Sequence, residues 1–198
     1  MNYIDASFEK ITKYKDDSSI IIPTRKTANS AGYDFYAAED VEISPYMDKA
    51  VELEQFIVTN AKESFKSYEE WAAARMPISL DDAAAYVKGA NAKLTLVPTG
   101  IKCKIPENYY LQLSVRSSLP LKHWLIMGNS VGIIDADYYN NQDNEGHIYF
   151  QLINLAPMPI MIHKGDCFGQ GILLPYCVCN GDTTDTTRTG GFGSTNVQ

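Results

Sequence analysis

Short apolar stretches rich in Val, Ile, Tyr and Phe recur along most of the chain, separated by Gly, Pro and Asn. This pattern predicts strands over Phe8 to Tyr14, Val41 to Ser44, Leu94 to Val97, Tyr109 to Val115, Ile148 to Leu155 and Phe168 to Pro175. β-Branched and aromatic side chains suit a pleated surface, and the breakers end each run. Regular strand-and-turn spacing predicts an all-β sandwich or jelly roll. Residues at about 60–90 depart from it. There Ser67-Tyr68-Glu69-Glu70 and Ser79-Leu80-Asp81-Asp82 each resemble a capping box, alanine-rich stretches favour helix, and Gly89 suits a C-terminal cap. These signals predict a small helical insertion in one domain spanning 1–198. Phe65, Tyr68 and Trp71 fall at helical spacing there, which serves either packing onto the host domain or a lid. From about 180 to 198 the chain is rich in Gly, Thr and Asp, and a flexible C-terminal arm is expected.

Composition narrows the function. At 45% hydrophobic and 21% charged residues over 198 positions, the chain can bury one sizeable core. A net charge of −7 leaves no basic field for a nucleic-acid polymer or an anionic membrane surface. An anionic small molecule remains open, because a local set of arginines, amides and a divalent cation can override an acidic average. The first residues carry neither a secretory signal nor a membrane span, so a soluble cytoplasmic protein is expected. Cys103, Cys167, Cys177 and Cys179 form no disulfide framework. Only Cys177-Val178-Cys179 resembles a ligand pair, with His163 as a third candidate; buried reduced thiols are the other reading.

Five blocks carry candidate chemistry. Ala31-Gly32-Tyr33-Asp34 places a carboxylate after a tight backbone path, as a cation site needs, although such an Asp also suits a turn or strand edge. Arg116-Ser117-Ser118 follows a strand with a guanidinium and two hydroxyls, able to grip phosphate oxygens or, alternatively, to form a surface ion pair and a helix N-cap. Gly128 to Tyr138 reads as a hairpin-like stretch. It presents Asn129 to read a pyrimidine edge, Asp135 either in a partly apolar cleft as a general base on water or on a solvated Asp-Ala-Asp loop, and Tyr138 as either a ligand-facing or a core aromatic. Lys164 to Gln170 turns into a strand and ends on an amide that can reach phosphate or a metal-bound water. Arg188-Thr189-Gly190-Gly191-Phe192-Gly193-Ser194 lies in the tail, where it can fold over a ligand with Phe192 stacking. No P-loop, His-Glu-x-x-His zinc motif or nucleophile elbow is present.

Together and in this order, the five blocks resemble the motifs of the homotrimeric dUTPase (deoxyuridine 5'-triphosphate nucleotidohydrolase) family. The spans Val97 to Ile101 and Ile105 to Tyr109 look like that family's strand connections. The resemblance implies a distorted jelly roll, a dUTPase-like β-clip, assembled as a homotrimer with interface active sites. The implied activity is hydrolysis of dUTP to dUMP and pyrophosphate with Mg2+. By the same resemblance Asp135 activates the water that attacks the α-phosphate, and Ser117, Arg116 and Ser118 bind the triphosphate. Asn129 and the backbone around Gly132 and Ile134 select uracil, and Tyr138 packs beneath the deoxyribose. Asp34 and Gln170 act around Mg2+ through water. Arg188 reaches the γ-phosphate as Phe192, Gly193 and Ser194 close over the nucleotide.

Three features depart from the family pattern: one residue rather than two between Arg188 and Gly190, a longer run from Tyr139 to Gly146, and the insertion. The insertion could dock a protein partner. A dCTP deaminase-like enzyme and a regulatory module on a dUTPase scaffold stay open as alternatives; a phage-encoded protein would act in the host-cell cytoplasm.

Overall fold

The structure is a computed structural model that describes residues 3–46, 94–186, 188 and 190. The predicted insertion at 60–90 lies outside the described residues, as do Phe192, Gly193 and Ser194. Eleven strands are described: β1 Ser7–Lys10, β2 Tyr33–Tyr36, β3 Val41–Ile43, β4 Thr95–Pro98, β5 Ile101–Lys104, β6 Tyr109–Val115, β7 Leu125–Met127, β8 Gly132–Ile134, β9 Tyr149–Asn154, β10 Ile160–Ile162 and β11 Cys167–Pro175. One short helix, α1, covers Ser118–His123. All pairings between these strands are antiparallel. A four-stranded sheet in the order β2-β11-β6-β8 and a three-stranded sheet β4-β9-β7 are flanked by the pairs β1-β5 and β3-β10. This is the all-β, jelly-roll class expected from the strand spacing.

Alternation along the strands sets the core. On β6, Leu111 and Leu113 point inward; on β9, Phe150 and Leu152 do. The two sheets meet through aromatic rings, with Phe150 of β9 lying 5.6 Å from Phe35 of β2 and 4.9 Å from Phe168 of β11. Those rings fit because β11 carries glycine opposite them: a Cβ on Gly169 would sit 2.5 Å from the Phe150 ring, and one on Gly171 would sit 2.8 Å from Phe35. A register shift between Cys167 and Gly169 buries both Phe168 and Gly169, as a β-bulge allows. Asn154 closes the end of β9, its amide donating to the carbonyls of Ile43 and Met158 at 2.9 and 2.8 Å.

Two readings are corrected. The strand expected over Phe8 to Tyr14 ends at Lys10 and gives way to a 3-10 turn at Thr12–Tyr14. The Ile11 amide bonds to the Gly100 carbonyl, and the chain then turns inward to bury Tyr14 beside Gly100. The stretch Gly128 to Tyr138 is a corner between sheets, not a hairpin: β7 pairs with β9, whereas β8 pairs with β6.

The glycine slot in β11 is open to test. Gly169→Ala should lower unfolding free energy by about 1–3 kcal/mol, because the buried Phe150 ring must shift to admit the methyl. An unchanged urea midpoint would show that the ring has room to move.

Candidate active site

The alternation that turns Gly169 and Gly171 to the core turns Gln170 to the other face. Gln170 stands opposite Asp34 on β2 and Ser114 on β6, and its amide donates to the Ser114 hydroxyl at 3.2 Å. Gly32 lets the chain pass close, since a Cβ there would meet the Gln170 side-chain oxygen at 2.9 Å. Beyond the end of β6, the Arg116 guanidinium comes within 3.9 Å of the buried Asp34 carboxylate. Gln170, Asp34, Gly32 and Arg116 line a cavity of about 380 Å³ together with Ser117, Ser30 and Lys26. Ser117 precedes α1 without making a side-chain capping bond, so the hydroxyl is not committed to the helix. Ser118 begins α1 and lines a different cavity, with Leu119, His123 and Phe168.

A second group gathers past β8. Asp135 follows the strand with its side chain 64% exposed, rather than in the partly apolar cleft expected of it. The Arg188 guanidinium lies 3.4 Å from the Asp135 carboxylate, 3.8 Å from that of Asp137, and 5.2 Å over the Tyr138 ring. Tyr138 is buried, and its hydroxyl donates to the His147 carbonyl at 3.0 Å. Burial raises its pKa, opposed by the hydrogen bond from Asn144. Asn129 is exposed on the turn between β7 and β8. Gly132 is buried against Leu113, so its lack of a Cβ answers core packing, and Ile134 packs partly against the same core.

The two groups sit at opposite ends of one strand. Ile134 pairs with Leu111 near the start of β6, and Arg116 lies five residues further on, a strand distance of roughly 17 Å. The fold therefore brings Asp34, Arg116, Ser117 and Gln170 together, and separately Asp135, Tyr138 and Arg188.

For a metal, the first group offers one carboxylate, one side-chain amide and hydroxyls. Among the described residues no set of three or more His, Cys, Asp or Glu could hold an ion. This donor set fits Mg2+ carried mainly by water and phosphate oxygens, which is a common way for that ion to bind. It does not fit a cation caged by protein alone. Cys177 and Cys179 are exposed free thiols, and His163 faces Asp40 at 3.6 Å, so the thiol-pair reading finds no partner set among the described residues.

Comparison with known proteins matches the chain to one family. A dUTPase family model matches residues 82–196. The deoxyuridine 5'-triphosphate nucleotidohydrolase of Lactococcus lactis subsp. lactis is 36% identical over 190 residues, covering 95% of each chain. The chain belongs to the dUTPase family. The crystal structure of the dUTPase from Streptococcus mutans superposes with a TM-score of 0.62 at 32% identity, covering 88% of this chain and 99% of that one. The dUTPase from phage phi11 of S. aureus shares the fold at 15% identity, with a TM-score of 0.57 over 94% of this chain and all of that one.

Several residues in this dUTPase fold escaped the motif reading. Lys26 enters the cavity beside Arg116 with its ammonium 5.3 Å from the Tyr36 ring centre, and a hydrogen bond with Tyr36 raises its pKa. Its loop is shaped by Arg25, which donates to the carbonyls of Ala28 and Ser30 at 2.9 and 2.8 Å. A lone lysine in a polar loop gives no sequence signal. His147 is likewise hidden. Its Nε2 accepts from the Gly100 amide at 2.9 Å, and its ring lies 4.0 Å from that of Tyr149. Burial lowers its pKa to about 4, assisted by the Lys13 charge and opposed by Glu39 and Glu145.

His147 thus couples the Tyr138 region to pH. The unfolded imidazole takes a proton near its ordinary value of 6.5, the folded one only near 4. Stability from this group is complete above about pH 6.5 and declines as pH falls toward 4, by up to about 3 kcal/mol. Unfolding midpoints measured between pH 4 and 7 should show this slope, and His147→Gln should flatten it. An equal slope in the variant would assign the acid sensitivity elsewhere.

Proposed function

We propose that this dUTPase-family enzyme cleaves dUTP to dUMP and pyrophosphate at sites shared between neighbouring subunits of a homotrimer. The roughly 17 Å that β6 sets between Leu111, the partner of Ile134 next to Asp135, and Arg116 carries this reading. An α-phosphate lies too close to its own β- and γ-phosphates for one chain to supply both the base and the phosphate grip across that span. The Asp135 end of one chain and the Arg116 end of another then form one site, as closed symmetry permits.

In that site Asp135 takes a proton from a water placed in line with the α-phosphate. The new P–O bond forms as the bond to the bridging oxygen breaks, and pyrophosphate leaves. Arg116 forks onto phosphate oxygens, with Ser117 donating beside it. Asn129 and the backbone at Gly132 and Ile134 read the uracil edge, while Tyr138 fills the space a 2′-hydroxyl would need. Arg188 moves to the γ-phosphate as Phe192, Gly193 and Ser194 close. Mg2+, when bound, neutralises the triphosphate and holds it in the in-line geometry. Asp34 and Gln170 hold the ion's water shell. A cytoplasmic enzyme acting on free nucleotide suits the acidic chain and the lack, among the described residues, of any helix long and apolar enough to cross a membrane.

Asp135→Asn should lower kcat by about 10²- to 10⁴-fold with nucleotide binding largely kept; full turnover of dUTP to pyrophosphate would remove Asp135 as the base. Shared sites add a second expectation. Co-refolding equal amounts of Asp135→Asn and Arg116→Ala chains should restore about a quarter of wild-type activity, since a mixed interface can pair an intact Asp135 with an intact Arg116. Failure of the mixture to exceed either variant alone would place the whole site within one chain.

A further inference from the structure

The longer run after Tyr138, which the catalytic reading leaves without a role, is built around that residue. Asn141 Nδ2 donates to the Tyr138 carbonyl and to Asn144 Oδ1, both at 2.8 Å. Asn144 Nδ2 donates to the Tyr138 hydroxyl at 2.8 Å. Asn141 Oδ1 accepts from the amides of Asp143 and Asn144 at 3.0 and 3.1 Å, and Asn144 Oδ1 accepts from the Gly146 amide at 3.1 Å. Two asparagines therefore hold both ends of one tyrosine, its backbone carbonyl and its phenol. The loop adopts left-handed backbone at Asn140, Glu145 and Gly146 to close this ring. At Gly146 only glycine fits, because a Cβ would lie 2.7 Å from the Tyr138 carbonyl oxygen.

We propose that Asn144 is a positioning residue for sugar selection: its bond to the Tyr138 hydroxyl fixes the depth of the ring that excludes a 2′-hydroxyl. This rests on the role given to Tyr138 above. Rejecting one added hydroxyl by bulk is a matter of small displacements, so a ring free to slide admits what a tethered ring refuses. The tether has two points, the His147 carbonyl that accepts from the phenol and the Asn144 amide that donates to it. The outer side of the loop borders an open cavity of about 540 Å³ that Gln142, Asp143 and Asn144 help to line. Truncating Asn144 therefore opens onto that space and does not empty a packed core.

The test compares kcat/KM for dUTP and for UTP in the full chain with Mg2+, for wild type, Asn144→Ala, Tyr138→Phe and the double variant. Both substrates sample the same active fraction, so a loss of folded enzyme cancels in the ratio. Asn144→Ala should lower the dUTP-to-UTP ratio about tenfold, the scale of one lost hydrogen bond, and Tyr138→Phe, which removes both tether points, by at least as much. The double variant should fall no further than Tyr138→Phe, because loss of the hydroxyl already removes both tether points. An unchanged ratio in Asn144→Ala, or losses that multiply in the double variant, would overturn the proposal. Tyr138→Phe keeps the ring and tests the tether even where Asn144→Ala folds poorly: an unchanged ratio there also overturns it. Tyr138→Ala separates the two levels. Wild-type discrimination in that variant would sink the sugar-gate role of Tyr138 and this inference with it, whereas lost discrimination there with an intact ratio in Asn144→Ala would remove Asn144 alone.

Discussion

The packing of Phe150 and Phe35 into the glycine slots of β11 is the contact on which the rest of the molecule depends. A strand alternates its faces, so the two positions that must be glycine to admit the rings, Gly169 and Gly171, fix the position between them on the opposite face. That position is Gln170, opposite Asp34 and Ser114. A slip of one residue would put a polar amide against the Phe150 ring and a bare glycine into the cavity. Core packing and the polar cavity are thus set by the same register, and neither can be altered without the other.

Strand β6 converts that register into a distance. It pairs with β11 on one side and β8 on the other, so Arg116 emerges at one end while Asp135 follows the partner of Leu111 toward the other. A strand paired on both edges within one sheet does not bend to close the gap. In the reading proposed above, each half of the chemistry is left for a second chain to complete. On that proposal the exposed Asp135 carboxylate is one that a second chain would cover, although a base would ordinarily be sought in a cleft.

Much of this was legible in the chain itself. Tyr109 to Val115 reads as a strand to the residue, because Leu111 and Leu113 alternate with polar neighbours and an Arg-Ser-Ser turn ends the run. The motif order led directly to the family. The three-residue strands β7, β8 and β10 were not legible as separate elements, since each is too short to show a period, and the corner at Gly128 to Val131 looks like a hairpin until the partner strands are known. The break at Ile11 was hidden for a related reason: it depends on a bond to Gly100, far along the chain. Lys26 and His147 were missed because their roles come from what surrounds them. Asn141 and Asn144 registered only as an unusual run, since loop asparagines look alike until the tyrosine they hold is seen.

With Arg188 moving to the γ-phosphate as proposed, its contacts show how weakly such a group needs to be held. Arg188 rests on Asp135, Asp137 and the Tyr138 ring of its own chain. An ion pair to a largely exposed carboxylate contributes about 0–1 kcal/mol, and a guanidinium over a tyrosine adds about 0.5–1 kcal/mol. Contacts of that size hold Arg188 in place without trapping it. A triphosphate offers charge-assisted, bidentate bonds, roughly twice as strong each, so an arriving nucleotide can draw the guanidinium away from the carboxylate proposed as the base. The same argument explains the acidic surroundings: two carboxylates keep the arginine close to the site while it waits, and neither is buried deeply enough to hold it there.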